Sequence, residues 1–379
     1  MSVVVIEPVG SYGGMAAYDA GLCAGLRQAG WEVLLSTSAM DRAVEGVDVQ
    51  TLYAGVFGGA PAWRRGLRWL RATARSLRDA RRRGARVCHL HLFQATALEL
   101  VNALGARLAG LRLVVTAHDV ASLAGVAEPL ARLIYGLADA VIVHNEASAA
   151  DARRALGVSA DRVHVVPHGH YVASVPVVPL RAAAARQRLG LDPEGPVVLF
   201  FGQIKRAKGL DLLLQAWPAV RARHPQAQLV VAGRPWKDEA GSYEALAPAD
   251  SGVHLRWGYV AESDVPVYYA AASVVALPYR RIYQSGVLLL AQSYRRPVLA
   301  SDLPAMREAV ADGETGYLFE AGDAAALGRR LVEVLADPEQ AEAVGQAGFE
   351  ALENQNGWDA IGQTTGQLYQ RLLDEKTGA

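Results

Sequence analysis

A chain of 379 residues exceeds what one hydrophobic core usually supports, so two domains are expected. Hydrophobic residues make up 51% and charged residues 20% of the chain, which is typical of a well-packed protein and excludes a disordered one. The formal net charge is zero, which excludes a global attraction to nucleic acid or to acidic membranes. Any electrostatic function must therefore be local.

The cysteines and the first residues indicate the cell compartment. Cys23 and Cys88 lie inside apolar segments, which argues against a disulfide framework and favours a reducing environment. The opening MSVVVIEPVG runs directly into a strand pattern without a basic leader, which argues against a signal peptide. No uncharged apolar run reaches the roughly 18 residues of a membrane-spanning helix. We expect a cytoplasmic protein, with peripheral contact to the inner face of the plasma membrane left open.

Short β-branched runs alternate with longer helical patterns in two series. The first series is VVVIEP, WEVLLST, RVCHLHL, LRLVVTAH, DAVIVHN and RVHVVPHG, and the second is PVVLFFG, QLVVAG, GVHLRWGYV, SVVALPY and RPVLASD. This alternation predicts an α/β fold of two doubly wound, Rossmann-like domains. The connector HYVASVPVVPLRAAA places the boundary after residue 178. A cleft between the two domains, at the carboxyl ends of the strands, is the expected ligand site.

The first candidate motif is the glycine pair Gly13 and Gly14, which leads from the first strand into a helix. Paired glycines let backbone N–H groups approach a phosphate or a sugar without a Cβ in the way. The spacing is neither GxGxxG nor GxxxxGK[ST], so neither a dinucleotide site nor a P-loop is supported. An ordinary tight turn is the alternative.

The segment WRRGLRWLRATARSLRDARRRGAR predicts a basic amphipathic helix. Its arginines share one helical face and lie beside an apolar stripe. The arginine face is Arg64, Arg68, Arg71, Arg75, Arg78 and Arg82, and the stripe is Trp63, Leu67, Leu70, Ala74 and Leu77. Such a helix could lie on an anionic membrane or face an acceptor, or it could be an ordinary surface helix. Nucleic acid is disfavoured because no recognition motif accompanies it.

Histidines recur near strand ends, at His89 and His91, at His118, and at His168 and His170. Alternating histidines in a strand are more often hydrogen-bonded interior residues than ligands, and no spacing here matches a zinc site. His118 differs because it follows a strongly apolar strand and so falls at its carboxyl end. A neutral imidazole there could donate a hydrogen bond to a sugar hydroxyl.

The loop GQIKRAKG follows the first strand of the second series, which ends at Gly202. The chain has four lysines against 34 arginines, and two of the lysines, Lys205 and Lys208, lie in this loop. Where arginine is the default cation, a lysine pair indicates that a compact point charge is required. A developing phosphate charge fits that requirement. Two solvated loop residues are the alternative.

The stretch Gln284-Ser285-Gly286-Val287 lies after the strand SVVALPY and before the helical GVLLLAQSY. It is therefore expected at a strand's carboxyl end and at a helix start, near the lysine loop. Backbone amides and the helix dipole at such a point can hold a diphosphate. The alternative is a plain serine N-cap.

Several common site signatures are missing from the sequence. It contains no Asp-x-Asp, which removes the simplest site for a metal-bridged sugar nucleotide, and no GxSxG, HExxH or CxxC. We therefore expect no metal and no cofactor. A last amphipathic pattern, GWDAIGQTTGQLYQRLL, predicts a final helix.

Together these motifs resemble the retaining glycosyltransferases of family 4, which have the GT-B fold, over essentially the whole chain. The strongest matches are GQIKRAKG, GYVAESDVPVYYAAASVVALPY and PVLASDLPAMREAVADGETGYLF. The resemblance implies domains at 1–178 and 179–357, with a final helix, 358–379, that returns to the first domain. It also implies a nucleoside-diphosphate sugar as donor and no metal.

The resemblance also implies a role for each matching position. Gly14 would lie against the donor phosphates or the acceptor, and His118 would contact the transferred sugar. Lys208 and the amides of residues 285–287 would neutralise the departing diphosphate.

The remaining matched positions would bind the rest of the donor. Backbone groups of Tyr259 and Val260 would read the base, and Glu308 would lie in the donor region. Both assignments follow from the resemblance alone.

Two departures from the family pattern stand out. The family's two glutamates, eight residues apart, would fall on Ile282 and Leu290, which cannot make polar contacts. The family's arginine after the first glycine is replaced by Gln203, and Lys205 could supply the missing charge.

The function expected from the sequence is a retaining, metal-independent hexosyltransferase that acts on a glycan or lipid-linked acceptor in the synthesis of a surface polysaccharide or glycoconjugate. Two alternatives remain open. One is a catalytically inactive protein that binds sugar nucleotides, and the other is a sugar-nucleotide epimerase on the same fold.

Overall fold

The protein divides into two compact units. Unit 1 is Met1–Gly169 together with Asn356–Ala379, and unit 2 is His170–Gln355. The sequence pattern placed these divisions at residues 178 and 357. The structure, a computed structural model, describes residues 1–10, 14–40, 44–118, 128–175, 180–236, 240–247, 250–282 and 284–375.

Unit 1 is built on a seven-stranded parallel sheet with the order β3-β2-β1-β4-β5-β6-β7. Its strands are β1 (Ser2–Glu7), β2 (Glu32–Thr37), β3 (Asp48–Gln50), β4 (Val87–Leu92), β5 (Arg112–Ala117), β6 (Ala140–Val143) and β7 (Val163–Val165). β1, β4 and β6 are buried along their whole length. A parallel sheet is covered by helices on both faces, so its strands are continuous apolar runs.

The helices of unit 1 are α1 (Met15–Gln28), α2 (Ala62–Arg82), α3 (Ala97–Leu108), α4 (Glu128–Leu137), α5 (Glu146–Leu156) and, from the end of the chain, α14 (Trp358–Asp374). Two of them, α3 and α5, begin with a side-chain N-cap. The Thr96 hydroxyl accepts from the Glu99 N–H at 3.2 Å, and the Asn145 amide oxygen accepts from the Ser148 N–H at 2.8 Å. Both bonds satisfy an N–H that a helix start leaves without an intrahelical partner.

Unit 2 has a six-stranded parallel sheet with the order β10-β9-β8-β11-β12-β13. Its strands are β8 (Val197–Phe201), β9 (Gln228–Gly233), β10 (Val253–Trp257), β11 (Val274–Leu277), β12 (Val298–Ser301) and β13 (Tyr317–Phe319). Its helices are α6 (Ala182–Arg188), α7 (Leu210–Arg223), α8 (Ala240–Glu244), α9 (Val265–Ala271), α10 (Gly286–Ser293), α11 (Pro304–Arg307), α12 (Ala324–Ala336) and α13 (Pro338–Gln355). The predicted class of two doubly wound α/β domains is confirmed.

Strand order fixes where ligands can approach each unit. In unit 2 the chain adds β9 and β10 on one side of β8 and then returns to add β11 on the other side of β8. The direction in which strands are added therefore reverses between β8 and β11. In unit 1 the reversal falls between β1 and β4. Open α/β sheets bind ligands beyond the carboxyl ends of the strands at this reversal. The segments after β8 and β11, and after β1 and β4, are therefore the places to look for a site.

Two strands escaped the sequence pattern, β3 and β13. Each has three residues and lies at one edge of its sheet. Three residues are too few to show an alternation in hydrophobicity. β7 is equally short, but it lies in the longer β-branched run RVHVVPHG, which predicted it, whereas β3 and β13 lie in no such run.

Helix α14 packs against α1 through a seam of glycines. A methyl group built on Gly25 would lie 2.1 Å from the Trp358 carbonyl oxygen, and one built on Gly362 would lie 2.0 Å from the Gly25 carbonyl carbon. Methyl groups on Gly21 and Gly169 would meet the Trp358 indole at 2.1 and 2.3 Å. Only glycine allows the two helices this approach. The seam therefore fixes the position of the last helix on unit 1.

Substituting Gly25 with alanine should test the seam. Because the new methyl group meets backbone rather than a mobile side chain, we expect unit 1 to lose about 3 kcal/mol of unfolding free energy. Chemical denaturation followed by circular dichroism measures the loss. Gly66→Ala in α2 is the matched control, since no atom lies within 4 Å of its added methyl, and it should be neutral or slightly stabilising. Equal stability of Gly25→Ala and Gly66→Ala would contradict the seam.

Candidate functional site

In unit 2, two glycines leave bare backbone at the carboxyl ends of adjacent strands. Gly202 follows β8 with a φ of 96°, a left-handed conformation that disfavours side chains. A methyl group on Gly233, at the end of β9, would lie 1.8 Å from the Gly202 carbonyl oxygen. The N–H of Gly202 donates to the Ala232 carbonyl at 2.9 Å. The two glycines therefore let the backbones at the ends of β8 and β9 lie in close contact, with no side chain of their own at this point.

Lys208 brings a positive charge to this bare edge. Its Nζ lies 3.6 Å from the point where a Cβ of Gly202 would stand, and Val287 Cγ2 lies 3.2 Å from the same point. The ammonium also lies 5.4 Å from the centre of the Tyr279 ring. Two separate motifs, the lysine loop with Gly202 and Lys208 and the stretch that contains Val287, therefore come together in the structure.

The lysine loop is held by the segment that leads into α10. Gly209 ends a single turn, Arg206–Lys208, in the left-handed conformation, and a methyl group there would lie 1.9 Å from the Pro278 carbonyl oxygen. The Arg280 N–H donates to the Ala207 carbonyl at 2.8 Å, and the Arg280 guanidinium pairs with Asp211 at 2.7 Å. These contacts fix the position of Lys208 relative to the start of α10.

The start of α10 fits both interpretations of the Gln-Ser-Gly stretch. The Ser285 hydroxyl accepts from the Leu288 N–H at 3.1 Å, as an N-cap does, and lies 3.5 Å from the Tyr279 hydroxyl. A methyl group on Gly286 would lie 3.2 Å from the Tyr171 hydroxyl. The first N–H groups of a helix have no intrahelical partner, so the amides of residues 286 and 287 can still bind an anion. The serine cap and an anion site are compatible.

The other predicted donor residues of unit 2 lie in varied surroundings. The Lys205 ammonium lies 4.9 Å from the centre of the Trp236 ring, so this lysine is directed elsewhere than Lys208. Tyr259 is 80% exposed, and Val260 packs on the apolar core. Glu308 is exposed at the end of α11. Gln203 and Gln284 are half-buried.

Ile282 and Leu290, which replace the family's two glutamates, also have a structural role. Both are half-buried and pack against the same apolar cluster of unit 2. These positions therefore contribute packing here.

In unit 1, four histidines and Trp358 surround the ring of Tyr18; His91, His144 and His168 are buried, and His118 is half-buried. Tyr18 lies in α1 and is 3% exposed. The centres of the neighbouring rings lie between 4.8 and 5.7 Å from its own, nearly edge to face; these neighbours are His91, His118, His144, His168 and Trp358. Edge-to-face contacts of this kind are favourable for aromatic rings. We call Tyr18 and the four histidines the histidine cluster.

The alternating histidines of β4 are interior residues, as the sequence favoured. His89 Nε2 lies 2.7 Å from the Thr116 hydroxyl, and its Nδ1 lies 2.6 Å from the Tyr369 hydroxyl. His91 Nδ1 lies 3.4 Å from the Asp19 carboxylate. Burial lowers the pKa of His89 well below its ordinary value and that of His91 to about 4, so both rings are neutral at physiological pH.

His118 occupies the carboxyl end of β5, as the sequence predicted. The backbone N–H of His118 donates to the Leu92 carbonyl at 3.0 Å, which continues the pairing of β5 with β4. The imidazole stacks on Phe93 with a centre distance of 4.6 Å and an interplanar angle of 7°. His118 Nδ1 lies 3.2 Å from His144 Nε2, and His118 Nε2 is buried without a hydrogen-bond partner among the described residues.

Two buried carboxyl groups, Glu7 and Asp19, complete this region. Glu7 ends β1 and accepts from the Val9 and Gly10 N–H groups at 2.8 and 2.6 Å. Burial and, to a lesser extent, the neighbouring Asp19 raise the pKa of Glu7 to about 8, although the N–H groups of Gly10 and Val9 oppose the shift. Burial likewise raises the pKa of Asp19 to about 8, although a hydrogen bond with Glu7 opposes that shift. The pair therefore keeps a proton near neutral pH.

Sequence reasoning missed Glu7, Asp19 and His144. Glu7 shares the face of Val3 and Val5 by the two-residue period of a strand, and Asp19 follows the buried Tyr18. Both are charged residues at positions that the hydrophobic pattern assigns to the core, and this was the signal that could have identified them. Gly14 begins α1 with a φ of 90°, whereas Gly13 lies outside the described residues.

Helix α2 exposes most of the apolar stripe predicted for it. Trp63, Leu67 and Leu70 are 66%, 39% and 46% exposed, and Ala74 is exposed as well. Of the predicted stripe only Leu77 is buried. A different face packs on the unit; it consists of Trp69, Ala72, Thr73, Ser76, Leu77 and Ala80. The exposed side therefore combines large apolar side chains with the arginine face.

The chain was compared with known protein families. Residues 13–169 match the model of the glycosyl transferase 4-like domain, and residues 195–337 match the model of the glycosyl transferases group 1. Together the two matches span more than half of the chain. The chain belongs to the group 1 glycosyltransferases.

One curated protein and two solved structures illustrate how far other proteins are similar to this chain. D-inositol 3-phosphate glycosyltransferase of Segniliparus rotundus is 30% identical over 267 residues, which is 66% of this chain and 59% of that protein. The chain thus spans about six-tenths of this curated relative. Sucrose-phosphate synthase from Thermosynechococcus elongatus matches with a TM-score of 0.78 and 24% identity over 99% of this chain and all of that one. HepE of Anabaena, solved with UDP, matches with a TM-score of 0.76 and 19% identity over 98% and 100% of the two chains. These structures share the GT-B fold.

Three further observations concern this group 1 glycosyltransferase. Within the described ranges, no three histidine, cysteine, aspartate or glutamate side chains are placed to hold a metal ion. Among the helices that the structure describes, none has the length and apolarity needed to cross a membrane. Cys23 and Cys88 are buried free thiols.

The buried groups of unit 1 predict how its stability depends on pH. Five histidines have folded pKa values below the ordinary 6.5, so the unfolded chain binds more protons and stability falls as pH drops below 6.5. Glu7, Asp19 and Glu99 have raised folded pKa values, so stability falls as pH rises from their ordinary range towards about 8. The five histidines outweigh the three carboxyl groups below pH 6.5, and the carboxyl groups dominate above it.

We therefore expect the melting temperature of unit 1 to be highest near pH 6.5, to fall towards pH 5 and to fall again towards pH 8. Calorimetry across this pH range measures the profile. Asp19→Asn removes one ionisation of raised pKa and should flatten the alkaline side while the acid side remains. A profile that is level between pH 5 and pH 6.5 would contradict the neutral, buried state of the histidines.

Proposed function

We propose that this protein is a glycosyltransferase that moves a sugar from a nucleoside-diphosphate sugar to a hydroxyl of a glycan or lipid-linked acceptor, with retention of configuration. The observation that carries the proposal is the meeting of Lys208, the bare strand end at Gly202 and the start of α10. A cation, a strand end that carries no side chain and the amides of a helix N-terminus together suit a diphosphate. The group 1 family membership and the UDP held by the related fold of HepE support the same class of donor.

The charge on Lys208 is suited to a leaving diphosphate. Among the described side chains, no carboxylate lies within ion-pair distance of Lys208, whereas the nearby Arg280 is paired with Asp211. An unpaired ammonium held by its loop can stabilise negative charge as it accumulates on the departing phosphate. Loss of one such contact costs about 3 kcal/mol in the transition state, on the scale of an oxyanion-hole donor. Lys205, on Trp236, would then act on a different part of the donor or acceptor.

A non-catalytic sugar-nucleotide binder is the second candidate, and the packing of Ile282 and Leu290 favours it. Both side chains lie against the apolar core where the family has carboxylates. Such a protein would bind the donor without releasing free diphosphate. Turnover with added glycan or lipid-linked acceptors separates the two candidates, and the anomeric configuration of the product tests retention.

We also propose that α2 contacts an anionic membrane, which would place a cytoplasmic enzyme at the inner face of the plasma membrane near a lipid-linked acceptor. Trp63, Leu67 and Leu70 are exposed beside the arginine face. On that face Arg64, Arg68, Arg71, Arg75 and Arg78 are exposed, and so is Arg82, which lies 3.8 Å from Asp79. Apolar side chains next to arginines allow a helix to lie in the headgroup region of a membrane. Arg75 lies 3.8 Å from Asp79, and Arg68 donates to the Gly55 carbonyl, so Arg64, Arg71 and Arg78 are the better candidates for lipid contact.

Thermal stabilisation by nucleoside diphosphates and sugar nucleotides tests the donor site. A ligand at about 100 times its Kd should stabilise the protein by about 2.7 kcal/mol, which appears as a rise in melting temperature. Lys208→Ala removes a charge-assisted contact of about 1.5–3 kcal/mol and should abolish most of the rise. Arg206→Ala, an exposed cation in the same turn, is the matched control and should keep it. If no nucleotide stabilises the wild-type protein, the proposed donor class is wrong.

Sedimentation with vesicles tests the membrane contact. We expect binding to phosphatidylglycerol vesicles and little binding to phosphatidylcholine vesicles. Replacing Arg64, Arg71 and Arg78 by glutamine should weaken binding about 100-fold, since each basic residue near an anionic surface contributes about 1 kcal/mol. Glutamine at the exposed Arg153, Arg223 and Arg329 changes the net charge equally and should leave binding unchanged. Equal losses in the two triple variants would argue against a surface formed by α2.

A further inference from the structure

Hydrogen bonding inside the histidine cluster determines which nitrogen of His144 carries a proton. His144 Nδ1 lies 3.0 Å from the Val166 carbonyl oxygen. A carbonyl can only accept a hydrogen bond, so His144 Nδ1 must donate. Burial lowers the pKa of His144 to about 4, so the ring is neutral near pH 7 and carries a single proton. His144 Nε2 is therefore a lone-pair acceptor.

This assignment passes to His118 through their shared hydrogen bond. His118 Nδ1 lies 3.2 Å from His144 Nε2. Because His144 Nε2 can only accept, His118 Nδ1 must be the donor. His118 is also neutral, since burial and the neighbouring His144 lower its pKa well below the ordinary value. Its one proton is therefore on Nδ1, and Nε2 presents a lone pair.

Among the residues that the structure describes, none donates a hydrogen bond to the lone pair on His118 Nε2. The atom itself is buried. The ring cannot easily turn to find a partner, because Phe93 stacks on one face and Tyr18 packs edge-on with a centre distance of 4.8 Å. A buried polar atom without a partner is costly, and such atoms in native proteins often belong to functional sites. The missing partner must be a donor.

We propose that His144 is a positioning residue that fixes His118 as a hydrogen-bond acceptor for one hydroxyl of the transferred sugar. This inference rests on the proposed function, which supplies the sugar. It reverses the direction that the sequence suggested, in which the imidazole donates to the hydroxyl. It also predicts that the enzyme selects sugars that carry this hydroxyl. A sugar without it would leave the buried lone pair of His118 unpaired, and an enzyme rejects such a substrate strongly.

The tautomers can be read without any substrate, from long-range proton–nitrogen spectra of protein labelled with ¹⁵N-histidine near pH 7.5. We expect His118 and His144 both to be protonated on Nδ1 and unprotonated on Nε2. In His144→Phe, which keeps a ring of similar size but cannot accept a hydrogen bond, His118 should shift towards the Nε2-protonated form. His144→Gln, whose amide oxygen can accept the same bond, should restore the wild-type tautomer.

His89→Asn controls for damage to the buried cluster. His89 is as buried as His144 and bonds to Thr116 and Tyr369, so its loss should leave the His118 tautomer unchanged. A wild-type His118 protonated on Nε2, or a tautomer that survives in His144→Phe, would overturn the inference. If His144→Phe does not fold, the wild-type spectrum and His144→Gln decide the matter alone.

The sugar is tested with the donor that raises the melting temperature, starting from UDP-glucose and GDP-mannose and their analogues with single hydroxyls replaced by fluorine. Fluorine cannot donate a hydrogen bond, so one analogue should lower kcat/KM roughly tenfold in the wild-type enzyme. The same analogue should have little effect on kcat/KM in His144→Phe. If His144 had only a structural role, the analogue would still lower kcat/KM about tenfold in His144→Phe. Equal penalties in both proteins would overturn the assignment to a sugar hydroxyl. Failure of every sugar nucleotide to bind would refute the proposed function, whereas the tautomer result would stand.

Discussion

Close contact between α1 and α14 is the constraint on which the rest of unit 1 depends. Gly25 and Gly362 let the two backbones touch, and the Trp358 indole occupies the space left by Gly21 and Gly169. Trp358 then lies 5.2 Å, centre to centre, from Tyr18, which the histidines surround. A side chain at any of these glycines would push the helices apart. The last helix of the chain thus seals a polar region formed by residues near the first strand.

That seal explains the electrostatic character of unit 1. Histidines and carboxyl groups that would be charged in water lose hydration when α14 covers them, and desolvation is the main cause of every shifted pKa in the cluster. Neutral imidazoles keep definite tautomers because each donor must meet an acceptor. Because these groups are buried and neutral, they act as hydrogen-bond donors and acceptors with definite roles rather than as charges.

The sequence predicted most of the fold because buried parallel strands are continuous apolar runs, as β1, β4 and β8 show. It also placed Gly202, Lys208 and Val287 together, since strand ends next to a reversal of strand order must meet. It could not show that Lys205 turns to Trp236, because a partner about 30 residues along the chain sets that direction. Nor could it find the histidine cluster, whose contacts join distant segments such as Tyr18 in α1 and His144 after β6.

The two units therefore offer different chemistry to a sugar nucleotide. Unit 2 presents an ammonium at Lys208 and, next to Gly202, the amides at the start of α10, which would suit a charged diphosphate because cations and backbone amides stabilise negative charge. Under the inference from the tautomers, unit 1 presents a neutral acceptor at His118, which would suit a sugar hydroxyl because a sugar without that hydroxyl leaves the lone pair unpaired. Charge stabilisation would then govern the rate of bond cleavage, and neutral hydrogen bonding would govern which sugar is transferred. Under the proposed function, substitutions in unit 2 should act mainly on kcat and substitutions in the histidine cluster mainly on sugar choice.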